Sequence, residues 1–230
     1  MVMRRLALAL ALASGALAAE PLHLAESGAA WRATLDFAEE AARIPPLDEA
    51  LRAEAARALD AFKAAAARNA DATRPYTFAL TDRAAFVSDR YVSVLRALES
   101  WTGGAHGTLS VEALTWDDRA GTAVTLDALV TPEGMEAISA ALRDGVAREV
   151  HGGQPPEPWR ARILQATVAS PMRLTNFTVA ADEAGRPAGL DFHFNPYEVG
   201  PWSSGAPVVR APLDSFADHL TPQGAALFGG

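Results

Sequence analysis

The spacing of apolar residues changes along this chain, and that change constrains the fold more than any other feature. From Pro45 to Ala66 apolar residues recur every three or four positions, which predicts an amphipathic helix with one buried stripe. The stripe comprises Leu47, Leu51, Ala55, Leu59, Phe62 and Ala66. A second helix is predicted after Thr131, which would cap it ahead of Pro132. Its buried side would comprise Met135, Ile138, Leu142 and Val146.

Between and after these helices the apolar period falls to two, which is typical of half-buried strands. We predict strands over 31–37, 76–80, 91–99, 108–116, 122–126, 176–180, 190–194 and near 208–211. Short helices are expected over 160–166 and, capped by Asp214, over 214–220. Strands in two separated blocks with helices between them predict an α+β fold with mostly antiparallel sheets and two main helices. We divide it into two sequential parts, 19–130 and 131–230.

The first eighteen residues have the pattern of an export signal. Arg4 and Arg5 precede an apolar run of twelve residues, 6–17, which ends in the small residues typical of a cleavage site. A membrane-spanning helix needs about 20 apolar residues, so we expect cleavage near Ala18 and no stable membrane anchor. The mature protein would then be periplasmic or secreted.

The charge of the chain limits its partners. The 230 residues include 20 basic and 28 acidic side chains and no cysteine, for a formal charge of −8. Removing residues 1–18 takes away two arginines and no acid, so the mature charge would be −10. Such a chain lacks the basic surface that nucleic acid binding requires, and a basic partner suits it better. Cysteine chemistry is excluded.

No known catalytic motif is present, and we predict a protein that is not an enzyme and needs no cofactor. There is no G-x-S-x-G, and the single lysine, Lys63, forms no Ser-x-x-Lys motif. One alternative stays open. Asp191 and His193 would share a strand face, and with His106 they could supply ligands for a metal-assisted hydrolase, although zinc needs three or four ligands.

Two segments are candidates for binding. Residues 195–205 combine two prolines and two glycines with Tyr197, Val199 and Trp202, which are large for a solvated loop. Rigid aromatic groups of this kind form binding hot spots or stack on carbohydrate, whereas the same groups could also pack under the sheet. Residues 101–107 place His106 beside two glycines, where it would be either a ligand-binding group or a buried histidine that fixes a turn.

The order of several short motifs resembles a known family. The motifs are Arg90-Tyr91-Val92-Ser93, Trp101-Thr102-Gly103-Gly104-Ala105-His106, Thr115-Trp116-Asp117, Asn176-Phe177-Thr178 and Asn195-Pro196-Tyr197-Glu198-Val199-Gly200-Pro201. Together they resemble the RsiV-like ectodomain family, a two-part α+β domain of RsiV-type anti-sigma factors that also adjoins the catalytic domain of PdaC-type peptidoglycan deacetylases. The resemblance covers nearly all of the chain after residue 18. The resemblance implies that residues 19–130 correspond to the PdaC accessory region and that residues 131–230 correspond to the RsiV-like domain.

The resemblance implies a non-catalytic binding domain, because the deacetylase chemistry belongs to another domain and the RsiV ectodomain is a receptor for C-type lysozyme. The chain has neither a deacetylase domain nor a sigma-binding segment, so we expect a free binding protein. Its partner would be C-type lysozyme or a peptidoglycan fragment. The predicted binding residues are Pro196, Tyr197, Glu198, Val199, Pro201, Trp202, Trp101 and His106.

Overall fold

A computed structural model of the chain describes residues 21–68 and 74–229. The predicted export signal, 1–18, lies outside these residues. Within the described ranges, no helix is both long enough and apolar enough to cross a membrane.

Six strands form the larger sheet, and they neighbour one another in chain order. They are β1 (His23–Gly28), β2 (Trp31–Asp36), β3 (Tyr76–Val87), β4 (Tyr91–Trp101), β5 (Thr108–Asp117) and β6 (Thr122–Ala123). All neighbours are antiparallel except β2 and β3. That parallel pair requires a crossover, which α1 (Glu39–Ala42) and α2 (Pro45–Ala66) supply. Strand β1 was not predicted, because its largely exposed residues lack an apolar alternation.

Helix α2 confirms the predicted stripe. All six apolar residues of that stripe are buried. Its C-terminal part, from Ala55 to Ala66, packs on Ala33, Leu35 and Phe78 of the sheet. The Arg96 guanidinium on β4 donates two hydrogen bonds to the Asp82 carboxylate and one to the carbonyl oxygen of Leu51. Because these groups are buried, the guanidinium ties the helix to the sheet by polar contacts as well as by apolar packing.

Residues 126–228 form a three-stranded antiparallel sheet with helices around it. The elements are α3 (Leu126–Leu129), α4 (Pro132–His151), α5 (Trp159–Ala166), β7 (Phe177–Ala181), β8 (Pro187–His193), β9 (Val208–Pro212) and α6 (Pro222–Phe228). The predicted cap of α4 is present, since Thr131 Oγ1 accepts a hydrogen bond from the Gly134 N–H. Helix α4 lies so close to β9 that a Cβ on Gly145 would stand 2.3 Å from a methyl group of Val209.

The prediction for 214–220 is wrong. These residues form two 3-10 turns, Leu213–Ser215 and Ala217–His219, and the last helix begins at Pro222. Thr221 is its N-cap, because Thr221 Oγ1 accepts from the Gly224 N–H. Asp is a common N-cap residue, which is why Asp214 was predicted to cap a helix, but Thr221-Pro222 repeats the Thr-Pro start of α4 and is the stronger signal. The predicted strand 122–126 likewise ends early, at Ala123.

The two sheets share one core. Strand β7 lies across β3, β4 and β5, and a single buried cluster joins Phe86 and Tyr91 of the larger sheet to Phe177 and Leu190 of the smaller one. A polar contact adds to it, since the Val179 N–H donates to Ser93 Oγ at 3.0 Å. The observed architecture confirms the predicted α+β class with mostly antiparallel sheets.

Candidate functional site

Two loops that are far apart in the sequence meet at one end of the larger sheet. Residues 102–107 join β4 to β5, and residues 194–207 join β8 to β9. The ring of His106 stacks on that of Trp202, with 4.7 Å between centroids and 26° between planes. The Tyr197 ring lies 5.9 Å from Trp202 on the same loop. We call His106, Tyr197 and Trp202 the aromatic tip.

The β8–β9 loop is anchored from several sides. Asn195 Oδ1 accepts a hydrogen bond from the Val111 N–H at 2.7 Å, which fixes the start of the loop to β5. His151 Nε2, at the end of α4, lies 2.7 Å from the carbonyl oxygen of Val199. The side chain of Val199 is fully buried in the shared core. The sequence of this loop left two alternatives, packing under the sheet and exposure for binding. The structure has one residue of each kind, because Val199 is buried in the core and Tyr197 is exposed.

Tyr197 has the only positive φ among the described residues other than glycine, at 70°. A tyrosine in this left-handed region is strained, and such strain persists only where the surroundings impose it. Arg162 contributes, because its Nη1 donates to the Tyr197 carbonyl oxygen at 3.0 Å. Tyr197 is nevertheless 48 % exposed. Backbone strain that presents an aromatic ring to solvent is a feature of binding and catalytic sites.

The β4–β5 loop relies on two adjacent glycines. Gly103 and Gly104 have φ values of 100° and 93°, which other residues adopt only at a cost. Trp101 Nε1 donates to the Gly104 carbonyl oxygen at 3.2 Å, so Trp101 shapes the turn that carries His106. The Trp101 ring is packed between neighbours, with Arg74 over it at 4.6 Å and Tyr76 perpendicular to it at 5.9 Å.

The remaining predicted residues frame the tip. The exposed Glu198 uses Oε2 to accept from the Asn195 N–H at 2.8 Å. Pro201 is exposed and precedes the 3-10 turn Trp202–Ser204, whose Ser204 N–H donates to the Pro201 carbonyl oxygen. Pro196 is half-buried. The structure thus brings His106, Tyr197 and Trp202 together and places the other predicted residues around or beneath them.

The three residues of the metal-assisted alternative have other partners. Asp191 accepts two hydrogen bonds from Arg210, at 2.7 and 2.9 Å. His193 is buried with Nε2 at 3.0 Å from Thr178 Oγ1, and this burial lowers its pKa, an effect that Asp191 partly opposes. His106 belongs to the aromatic tip. Across 21–68 and 74–229, no three His, Asp or Glu side chains gather as metal ligands, so the geometry does not support this alternative.

Two asparagines that the sequence analysis did not single out position the site. Asn176 Oδ1 accepts from the Ala113 N–H at 2.5 Å, and Asn176 Nδ2 donates to the carbonyl oxygens of Val111 and His193. With Asn195, it joins the smaller sheet to the outer side of β5. The available signal was their placement, since each asparagine adjoins the end of a predicted strand, where an amide can replace backbone partners.

The comparisons with known proteins concern the fold. No protein-family model matches the chain, and no curated protein matches it. A DUF3298 family protein from Pseudomonas aeruginosa has a crystal structure similar to this one, with a TM-score of 0.61 and 19% identity over 89% of this chain and 97% of that one. A member of the same family from Bacteroides fragilis gives a TM-score of 0.58 and 15% identity over 87% of this chain and 92% of the other. DUF3298 is a domain of unknown function, and the likeness is consistent with the RsiV-like domain that the motifs resemble. Along nearly its whole described length, this chain has the fold of DUF3298 proteins.

Proposed function

We propose that this protein is a non-catalytic binding domain that recognises a partner in the cell envelope through the aromatic tip. The partner that fits best is C-type lysozyme, with a peptidoglycan fragment as the other outcome of the test. The observation that carries the proposal is the stacking of His106 on Trp202 beside a strained and exposed Tyr197. The fold supports it too, because no enzymatic activity is indicated for the DUF3298 neighbours.

The tip has the physical properties of a binding hot spot. Tyrosine and tryptophan dominate such sites because they offer a large contact area and lose little conformational freedom on binding. Here much of that freedom is already removed, since Trp202 is held by His106 and the backbone of Tyr197 is held by Arg162. A preorganised surface of this kind gains affinity because less ordering is needed when the partner binds.

Charge supports a basic partner. The chain carries a formal charge of −8, and removal of residues 1–18 would make it −10. Opposite net charge raises the rate of encounter more than the affinity of the final complex, and salt screens it. We therefore expect association with a basic protein to slow as ionic strength rises. We also propose that residues 1–18 direct export, which would place the protein in the periplasm or outside the cell.

Isothermal titration of residues 19–230 with hen-type lysozyme, at two salt concentrations, tests the proposal. Tyr197→Ala and Trp202→Ala are each expected to weaken binding at least about tenfold, as loss of a hot-spot aromatic does. Val87→Ala is the control, because Val87 is 52 % exposed and lies on β3 far from the tip. Thermal unfolding of each variant verifies that the fold is intact.

The outcomes separate the partner from the site. If the protein binds neither lysozyme nor soluble peptidoglycan fragments, the proposed partners are wrong. If it binds one of them and both tip variants bind as tightly as Val87→Ala, the proposed site is wrong.

A further inference from the structure

The larger sheet has an open half on the face turned away from α2. Strand β7 covers this face near the β3–β4 turn, whereas toward the aromatic tip the same face holds a trough of about 310 Å³. The side chains that define this sheet trough are Arg32, Thr34, Thr77, Ala79, Glu99 and Trp101.

Strand register sets the shape of the trough. Arg32, Thr77 and Trp101 pair in one row across β2, β3 and β4, and Thr34, Ala79 and Glu99 pair in the next row. The floor on β3 therefore carries only a threonine and an alanine. Arg32 stands on one wall and Glu99 diagonally opposite on the other. Since neighbouring strands lie about 4.8 Å apart, the two walls are separated by about 10 Å.

These two charges face the same trough from opposite walls, and neither is neutralised within the part of the protein that the structure describes. Both side chains are exposed, and neither forms a hydrogen bond or an ion pair with any residue in 21–68 or 74–229. Elsewhere the protein pairs such charges across strands, as Arg96 does with Asp82 and Arg210 with Asp191. A cation and an anion that face the same trough without partners are complementary to a ligand that carries both charges.

We propose that the sheet trough binds a short zwitterionic peptide, whose carboxylate meets Arg32 and whose ammonium group meets Glu99. Three residues in extended conformation span about 10 Å, which matches the distance between the walls. The hydroxyl groups of Thr34 and Thr77 can donate to or accept from the peptide amides between the two ends. The volume of the trough is at the lower end of the range for small-ligand sites.

A saccharide is a poorer fit to the same trough. Sugar binding uses an aromatic face as a platform, and here Arg74 lies over the ring of Trp101 while Tyr76 packs against it at right angles. Two separated charges of opposite sign select for a ligand with two charged ends, which a neutral sugar lacks. The charge pattern therefore favours the peptide.

An NMR titration of the protein tests this proposal with triglycine, N-acetyl-triglycine and triglycinamide. We expect triglycine to shift the amide signals of Thr77 and Ala79 and to bind about tenfold more tightly than either capped form, because each cap removes one charge-assisted contact. Arg32→Gln should bind triglycine and triglycinamide equally. Glu99→Gln should bind triglycine and N-acetyl-triglycine equally.

Glu112→Gln is the matched control, since Glu112 is exposed on the opposite face of the same sheet and should leave all three affinities unchanged. Equal affinity for the three probes, no shift at millimolar triglycine, or shifts confined to residues outside the trough would each overturn the proposal. It stands apart from the proposed function, because Tyr197→Ala should keep triglycine binding and Arg32→Gln should keep lysozyme binding.

Discussion

The two ends of the larger sheet contain similar residue types and use them in opposite ways. At the end where β4 begins and β5 finishes, which we call the closed end, Arg90 donates two hydrogen bonds to Asp117, at 2.9 and 2.6 Å. The Asp117 side chain is fully buried and also accepts from the Arg119 and Ala120 N–H groups. Tyr91 is 2 % exposed. At the other end, which holds the aromatic tip and the sheet trough, Arg32, Glu99 and Tyr197 are exposed.

The difference arises from what covers each end. Helix α6 packs against α3 at the closed end, where the Thr221 N–H donates to the Leu129 carbonyl oxygen. Gln223 Nε2 on α6 also donates to Asp117 Oδ2 at 3.4 Å. No helix or strand among the described residues covers the tip. An Arg, an acid and an aromatic residue near a sheet end are therefore buried in a structural cluster where another element covers them, and they stay exposed where none does. We expect substitutions at the closed end to change stability and those at the tip to change binding.

The largest effect on stability should come from Gly224→Ala in α6. A Cβ at this position would stand 2.0 Å from the carbonyl oxygen of Leu129, and a backbone atom cannot move aside cheaply. We expect a loss of about 3 kcal/mol in the free energy of unfolding, measured by urea denaturation. Ala226→Ser, on the exposed side of the same helix, should change it by less than about 0.5 kcal/mol. Equal midpoints for the two variants would show that α6 does not seal the closed end.

Asn176→Ala should have the next largest effect, because it removes two hydrogen bonds to β5 of the larger sheet and a third to the His193 carbonyl oxygen on β8. We expect a loss of about 2 kcal/mol, since the Ala113 N–H and two carbonyl groups would lose partners in a partly buried place. Urea denaturation again measures it, with the exposed neighbour Thr175→Ala as the control. A loss no greater than that of the control would mean that Asn176 does not help to hold the two sheets together.

Acid should act on the closed end through Asp117. The hydrogen bonds from Arg90 lower the pKa of this carboxyl below its ordinary value. In the unfolded chain the group titrates near pH 4, so its contribution to stability is complete well above that pH. The contribution is lost as the pH falls through 4 toward the lower pKa of the folded state. Urea midpoints between pH 7 and 2.5 should therefore fall less steeply for Asp117→Asn than for the wild type, whereas Asp127→Asn, which removes an exposed carboxylate, should follow the wild type.

The smallest effect on stability should come from His106→Ala at the tip. The lost contact is one stacked pair on an exposed loop, so we expect a change below about 1 kcal/mol in the free energy of unfolding. The same variant should still weaken partner binding, because Trp202 would lose the ring that holds it. A large loss of stability with unchanged binding would reverse the roles assigned to the two ends.

The sequence was most informative where apolar spacing alone determines structure. The stripes of α2 and α4, the Thr131 cap and strand β7 followed from periodicity and capping rules. Strand β1 and helix α6 did not, because β1 is mostly exposed and α6 has only two buried residues, Gly224 and Leu227. The parallel pairing of β2 with β3 depends on long-range contacts that no local pattern encodes.

Residue type and loop composition named His106, Tyr197 and Trp202 as candidates, and the structure places their rings together. Their meeting was not predictable, since it depends on how the smaller sheet docks on β5 through Asn176 and Asn195. The burial of Val199 was not predictable either, because the sequence does not show whether an apolar residue in a loop faces the core or a partner. The two charges of the sheet trough could be found only once the strand register was known. The register brings Arg32 and Glu99, which are 67 positions apart in the chain, to one face of the sheet.

The two asparagines also have a consequence for solubility. A strand whose backbone N–H and C=O groups point outward is a template on which another chain can add a strand, and this is a common route to aggregation. Strand β6 pairs with only two residues of β5, so the middle of β5 would present such a template. There, Asn195 Oδ1 accepts a hydrogen bond from the Val111 N–H. The Asn176 side chain accepts from the Ala113 N–H and donates to the Val111 carbonyl oxygen. Amides at these positions block strand addition without extending the sheet, so they would help to keep copies of the protein apart in solution.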